Sequence, residues 1–324
     1  MQIRQVQITT DGGQHMLNSF NSILTIFIMI GVGFILTKKG FFNKETSKLF
    51  SKMVINVSLP LMMIVNIPMR FSKEKLFNSL NGITVAFISI IATYLIALLL
   101  SKILKIDKSK RGIFCTMITF SNAIFIGLPV NTALFGEESA TYVFLFYIAN
   151  TSLFWTLGVK SIRSCNSNKC NDFSGIKSIK KIFSPPLIGF IIGITLVLME
   201  IKLPVFIENS FRYIGNLTTP LSMFFIGTII YSIDFRKIKL DTCSYVVFLG
   251  RFLIAPLIMF ISLKLFQLPV LLNQVFVIEA AMPIITQAAL VSDFYDINSE
   301  YAALMVGFST VLSILIIPIY SFIM

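Results

Sequence analysis

Charge is scarce in this sequence. Asp, Glu, Lys and Arg make up 13% of its 324 residues, about half the share usual in a soluble domain. Tryptophan and histidine occur once each, as Trp155 and His15. Four cysteines are too few and too scattered for a disulfide scaffold. Cys115 and Cys243 fall in or beside apolar stretches, while Cys165 and Cys170 flank a polar loop. That last pair offers half a zinc site, short of the four ligands that structural zinc takes, and reads as free thiols in a reducing cytosol. An intramembrane metalloprotease needs paired histidines, and His15 stands alone. A Gly-x-Ser-x-Gly elbow and an aspartate pair within an apolar stretch are also missing. These absences exclude an enzyme of the usual intramembrane kinds, and no metal or cofactor is expected.

What is abundant is apolar. Hydrophobic residues account for 56% of the chain and phenylalanine alone for 32 positions, which describes an all-α integral membrane protein. The phenylalanines are spread along the chain and read as lipid contact and helix packing. Ten stretches are long and apolar enough for spans: 18–37, 48–67, 80–101, 113–134, 139–159, 184–200, 213–233, 242–265, 271–291 and 301–323. The net charge of +12 comes from basic residues between these stretches, so it reads as topology and contact with anionic lipid, not as nucleic-acid binding. Basic residues cluster at Lys38–Lys52, Lys102–Arg111, Lys160–Lys181 and Arg236–Lys239, with few on the opposite side. The asymmetry predicts both termini outside and a cytosolic central loop in a multi-pass plasma-membrane protein. Trp155, near the cytosolic end of its span, reads as an interfacial anchor. Residues 1–15 form a polar tail that lacks the pattern of a signal peptide, and a translation start at Met16 is the expectation there.

The chain repeats itself. Asn56-Val-Ser-Leu-Pro60-Leu-Met-Met63 in the second stretch matches Asn216-Leu-Thr-Thr-Pro220-Leu-Ser-Met223 in the seventh. Pro129 in the fourth stretch is paralleled by Pro283 in the ninth. Five spans per half is an odd number, so the second half crosses the membrane in the opposite sense. That is an inverted repeat, with residues 16–160 and 184–324 as its halves and 161–183 as the loop between them. The Asn and Pro pairs at 56, 60, 216 and 220 read as hinges of a scaffold.

Prolines inside spans have a further consequence. Each removes a helical hydrogen bond, and in lipid the freed backbone needs protein or water to satisfy it. Pro129 lies among Ser121, Asn122, Gly127, Asn131 and Thr132; Pro283 lies among Glu279, Thr286 and Gln287. Two broken helices in inverted halves would bring two positive half-helix ends together near the midplane, a site suited to an anion. A plain kink packed by neighbours is the other reading of each proline.

At these residues the sequence resembles the auxin efflux carrier family. The resemblance runs from about residue 18 to the end and is carried by Gly33–Gly40, Asn56–Pro60, Ser121–Pro129, Phe135-Gly136, Met282-Pro283, Tyr295-Asp296 and Ser309–Ser313. It implies ten transmembrane helices in two inverted five-helix repeats, similar to the sodium/proton-antiporter and bile-acid-transporter fold. Spans one, two, six and seven would be scaffold, and the others a moving core in which spans four and nine cross at Pro129 and Pro283. It also implies a carrier for a small organic anion, a carboxylate held near Asn122 and Asn131. Gln287 stands where such proteins often have Asn. Dimerisation through the scaffold is implied by related folds.

Two charges sit inside spans, Arg251 in the eighth and Glu279 in the ninth. Glu279 reads as a carrier of a coupling proton, as the partner of Arg251 in a structural pair, or as a residue of a cavity rim. Arg251 has a further reading as a ligand of the carboxylate. Sodium coupling is open as well. The expected protein is an organic-anion carrier working by alternating access, with a passive channel or a membrane sensor as the alternative.

Overall fold

The computed structural model describes residues 24–70, 72–165, 185–232, 241–295 and 297–323. The polar tail 1–15, the start at Met16, Cys170 with most of the central basic loop, Arg236–Lys239 and Asp296 lie outside the described residues. Regular structure among the described residues is helical, with one isolated bridge.

We number the helices by span: α1 Leu24–Lys38, α2 Lys44–Met69, α3 Lys73–Ile103, α4a Lys108–Thr119, α4b Ala123–Phe135, α5 Ser139–Arg163, α6 Pro185–Met199, α7 Val205–Ser232, α8 Thr242–Lys264, α9a Val270–Ala280, α9b Gln287–Phe294 and α10 Ser299–Ile323. Six of them, α2, α3, α5, α7, α8 and α10, are long and apolar enough to cross a membrane. Among the shorter apolar ones, α4b and α9a are each half of an interrupted span. Helix α7 starts at Val205, earlier than the expected 213. The charges that masked its first turns, Glu208 and Arg212, bond one another one turn apart on an exposed face.

Among the described residues, four helices contain one wide turn: Val54–Ser58 in α2, Ala123–Gly127 in α4b, Phe154–Gly158 in α5 and Gly250–Ile254 in α8. After each, an N–H reaches back five residues in place of four, as Leu59 does to the Val54 carbonyl. In α2, α4b and α8 a proline follows one residue later, at Pro60, Pro129 and Pro256. The cause is steric. A proline ring in a helix collides with the carbonyl four residues before it and has no N–H to offer. Widening the preceding turn moves that carbonyl off the ring, so the helix runs on. Pro129 therefore sits inside continuous helix, and the break in α4 lies earlier, between Thr119 and Ala123.

The packing falls into two groups. In one, α2 lies along α6 and α7, and α1 lies on α7. In the other, α3 packs against α4a, α5 and α8, α9a against α5 and α8, and α9b against α10. Helix α7 bridges them through α4b and α10.

Small residues hold the first group together, as membrane helices gain most from close packing. A Cβ at Gly189 of α6 would meet the Pro60 carbonyl oxygen at 2.5 Å, and one at Gly193 would meet the Met63 carbonyl at 2.9 Å. Gly33 and Gly227 play the same part between α1 and α7. Gly189→Val should therefore force α6 off α2 and cost about 1–3 kcal/mol, read as a lower melting temperature in detergent. A wild-type melting curve would show that the contact is not tight.

Candidate functional site at the crossed helix breaks

Helices α4 and α9 both stop in mid-span, and their breaks run antiparallel past each other. The Asn122 N–H donates to the Pro283 carbonyl at 2.8 Å, and the Ile285 N–H to the Phe120 carbonyl at 3.0 Å, on either side of the Ser121–Ile284 bridge. Pro283 has no N–H to leave unpaired and contributes its carbonyl. Two neighbouring helices supply further partners. Asn150 of α5 clamps Ser121 from both sides, accepting from its N–H at 3.3 Å and donating to its carbonyl at 2.9 Å. Ser309 of α10 accepts from the Ile284 N–H at 3.1 Å. Sequence reasoning gave neither residue a role here. The signal for Asn150 was a lone amide in the apolar run Tyr142–Trp155; Ser309 lay within the Ser309–Ser313 motif.

The half-helix starts meet at one side chain. Asn122 caps α4b, accepting from the Phe125 N–H at 3.3 Å, and its Nδ2 donates to Thr286 Oγ1 at 2.9 Å. Thr286 immediately precedes α9b, whose first residue is the partly buried Gln287. One amide therefore ties together the two N-terminal ends, where helix dipoles place partial positive charge.

The half-helix ends meet at Arg251. Its guanidinium donates to the Ile118 carbonyl at 2.9 Å and to the Ala280 carbonyl, in the last turns of α4a and α9a. Each C-terminus carries about half a negative charge, so the two together roughly balance one guanidinium. Arg251 is 1% exposed and lies within the wide turn of α8.

Glu279 is fully buried and takes a different partner. Its Oε1 accepts from Asn131 Nδ2 at 2.8 Å, and the same amide donates to the Gly127 carbonyl at 2.9 Å. Gly127 has to be glycine for this, because a Cβ there would fall on the Glu279 carboxyl. Of the readings of Glu279, a direct pair with Arg251 is not what the geometry holds: no ion pair joins the two among the described residues. Two helix C-termini claim the guanidinium instead. The crossing also lies at Phe120–Asn122 and Pro283–Ile285, so Pro283 belongs to it and Pro129 does not.

Pro129 lines something else. A cleft of about 420 Å³ separates the two packing groups, with Met29, Met62 and Asn216 on one wall and Pro129, Thr132 and Glu137 on the other. It stops short of Asn122, which is about 10 Å further along α4b at 1.5 Å per residue. Between them the Phe125 ring of α4b meets the Phe225 ring of α7, with centroids 4.8 Å apart.

The four residues read as hinges mark paired irregularities. Asn56 lies in the wide turn of α2 and its Nδ2 donates to the Lys52 carbonyl at 2.9 Å. Asn216 ends the first stretch of α7, and Pro220 lies in the first turn after the interruption. Gly215 rests against the backbone of Met62, so the two irregularities touch.

The membrane transport protein family matches residues 18–321. An uncharacterized transporter of Methanocaldococcus jannaschii is 25% identical over 307 residues, covering 93% of this chain and 97% of that protein. An uncharacterized transporter of Methanothermobacter thermautotrophicus is 24% identical over 311 residues, covering 94% and 98%. With its apolar helices and this match over nearly its whole length, the chain is a multi-pass membrane protein that belongs to the membrane transport protein family, the family of the auxin efflux carriers.

Proposed function

We propose that the protein is a secondary transporter that carries a small organic anion, a carboxylate, across the plasma membrane by alternating access. The observation that carries this reading is the tie between two half-helix N-termini at Asn122 and Thr286. The first N–H groups of the two half-helices and their positive dipole ends favour an anion there. The substrate carboxylate takes the place of the Asn122–Thr286 bond and is held by those two side chains, Gln287 and the first N–H groups of α4b and α9b. Asn131, engaged with Glu279, stands behind this site as a support.

In this reading residues 16–160 and 184–324 are two inverted five-span repeats joined by a cytosolic loop at 161–183. The α1–α2–α6–α7 group is the frame, and the group containing the crossing is the moving core. The cleft at Pro129 and Asn216 then belongs to the outer face by the distribution of basic residues. Movement of the core opens the apolar seal at Phe125 and Phe225 and exposes the site alternately. That seal speaks against a passive channel, and counterflow of labelled substrate separates the two mechanisms.

The test is electrical. Purified protein in liposomes on a solid-supported membrane is given a panel of mono- and dicarboxylates, and a labelled panel covers electroneutral exchange. A saturable response to one class is expected. Asn122→Ala should weaken half-saturation about tenfold or more, roughly 1.4 kcal/mol, beside a loss of stability of about 1 kcal/mol from the missing cap. Silence of both panels, or full activity in Asn122→Ala, would overturn the reading.

A further inference from the structure

We infer that Glu279 is a proton-binding site, its carboxyl held as a neutral acid that pairs with the Asn131 amide across the two broken helices. One half of that pair is visible as the bond from Asn131 Nδ2 to Glu279 Oε1 at 2.8 Å. The other two oxygens of the same side chains, Asn131 Oδ1 and Glu279 Oε2, are buried without a hydrogen-bond partner. An ionised carboxylate and an amide carbonyl are both acceptors only, so neither can satisfy the other. A proton on Oε2 supplies the missing donor. The acid then donates to Asn131 Oδ1 while its Oε1 accepts from Asn131 Nδ2, which closes a ring of two hydrogen bonds.

Charge balance gives the same answer independently. The guanidinium of Arg251 is matched by the carbonyl ends of α4a and α9a. No ion pair remains for Glu279 among the described residues. A buried, unpaired carboxylate is costly and takes up a proton instead. Helix α9a packs against α3, α4b, α5, α8 and α10, and the charged group from these that acts on Glu279 is Arg251. Their other charged residues with described side chains, such as Lys102, Lys264 and Glu300, sit at helix ends. Tyr94 and Tyr320 are directed elsewhere, to Ser161 and the Phe252 carbonyl. Tyr142 and Tyr147 are the phenols of α5.

The proton has a mechanical consequence. Asn131 belongs to α4b and Glu279 to α9a, so the ring fastens the second half of one broken helix to the first half of the other. Loss of the proton leaves two facing acceptors beside Gly127, so one of the two bonds of the fastening is replaced by repulsion. The site rests on the transporter reading for its purpose, which is to couple core movement to a proton gradient, but its detection needs no substrate.

Infrared spectroscopy of the full-length protein in lipid tests it. Near neutral pH the wild type should show a protonated-carboxyl C=O band above the amide envelope that shifts in heavy water. The band should be absent from Glu279→Gln and disappear on alkaline titration. Glutamine is the isostere of the protonated acid and keeps both bonds to Asn131, so this variant should retain the wild-type melting temperature. Asn131→Leu should keep the band but move it to the frequency of a free acid. Identical wild-type and Glu279→Gln spectra would overturn the proposal, as would a band that persists unchanged in alkali. A silent carboxylate panel leaves this result untouched, so failure of the substrate reading and failure of the proton site are separate findings.

Discussion

Arg251→Met should cost the protein about 2–5 kcal/mol of stability, the largest loss expected from any single substitution at the crossing. Two effects oppose each other. Removing a buried guanidinium relieves its desolvation, and a well-packed apolar side chain often replaces a buried ion without loss. Here, however, the partners stay behind. The carbonyls of Ile118 and Ala280 belong to helix ends and cannot be mutated away. Each is left buried without a donor, at about 1–3 kcal/mol. The two negative dipole ends would also face each other without a counter-charge. Arg251→Lys should recover only part of the loss, because one ammonium cannot span two carbonyls as a planar fork does. Melting temperature and monodispersity in detergent measure both variants. Wild-type behaviour of Arg251→Met would show that the two helix ends find other partners.

Asn150→Leu should cost about 2–4 kcal/mol and loosen the break in α4 specifically. Leucine fits the volume but removes a donor and an acceptor at once, leaving the N–H and the carbonyl of Ser121 unpaired in a buried, lipid-surrounded position. Asn150→Asp is no rescue, since it keeps the acceptor, loses the donor and adds a buried charge. Hydrogen exchange followed by mass spectrometry should show faster exchange over the segment 120–123, with the ends of α5 unaffected. Unchanged exchange together with an unchanged melting temperature would remove Asn150 from the site.

Much of this molecule could be read from its residues, and what could not has identifiable causes. Hydropathy alone marks the apolar helices, because length and lack of charge are properties of a segment. The break in α9 was legible at Pro283, and Asn122 was legible as a polar neighbour of the break in α4. The position of that break was not. Pro129 drew it too far along the helix, because a wide turn lets proline continue a helix and leaves no mark in composition. The partner of Arg251 was illegible for a different reason. Backbone carbonyls are present at every position, and only the fold decides which two converge on one guanidinium. Glu279, the nearest opposite charge in a sequence reading, was one partner among the readings left open, and no ion pair joins it to Arg251 among the described residues. Asn150 and Ser309 stand out in their own segments, but the backbone they act on belongs to other helices, so their partners could not be read from local pattern.

The wide turns carry one residue more than an α-helical turn needs. Deleting that residue would restore an ordinary turn and leave everything beyond it in the same phase, whereas a deletion in a plain stretch would rotate the rest of the helix by about 100°. In α8 a deletion just after Arg251 would keep Pro256 and Met259 on the buried side and Leu257 and Phe260 on the outward one. The cost would fall on the proline, whose ring would again meet the carbonyl four residues before it. A gap of one position at 54–58, 123–127, 154–158 or 250–254 in a distant relative is therefore a change that these helices can absorb without altering which side meets the lipid.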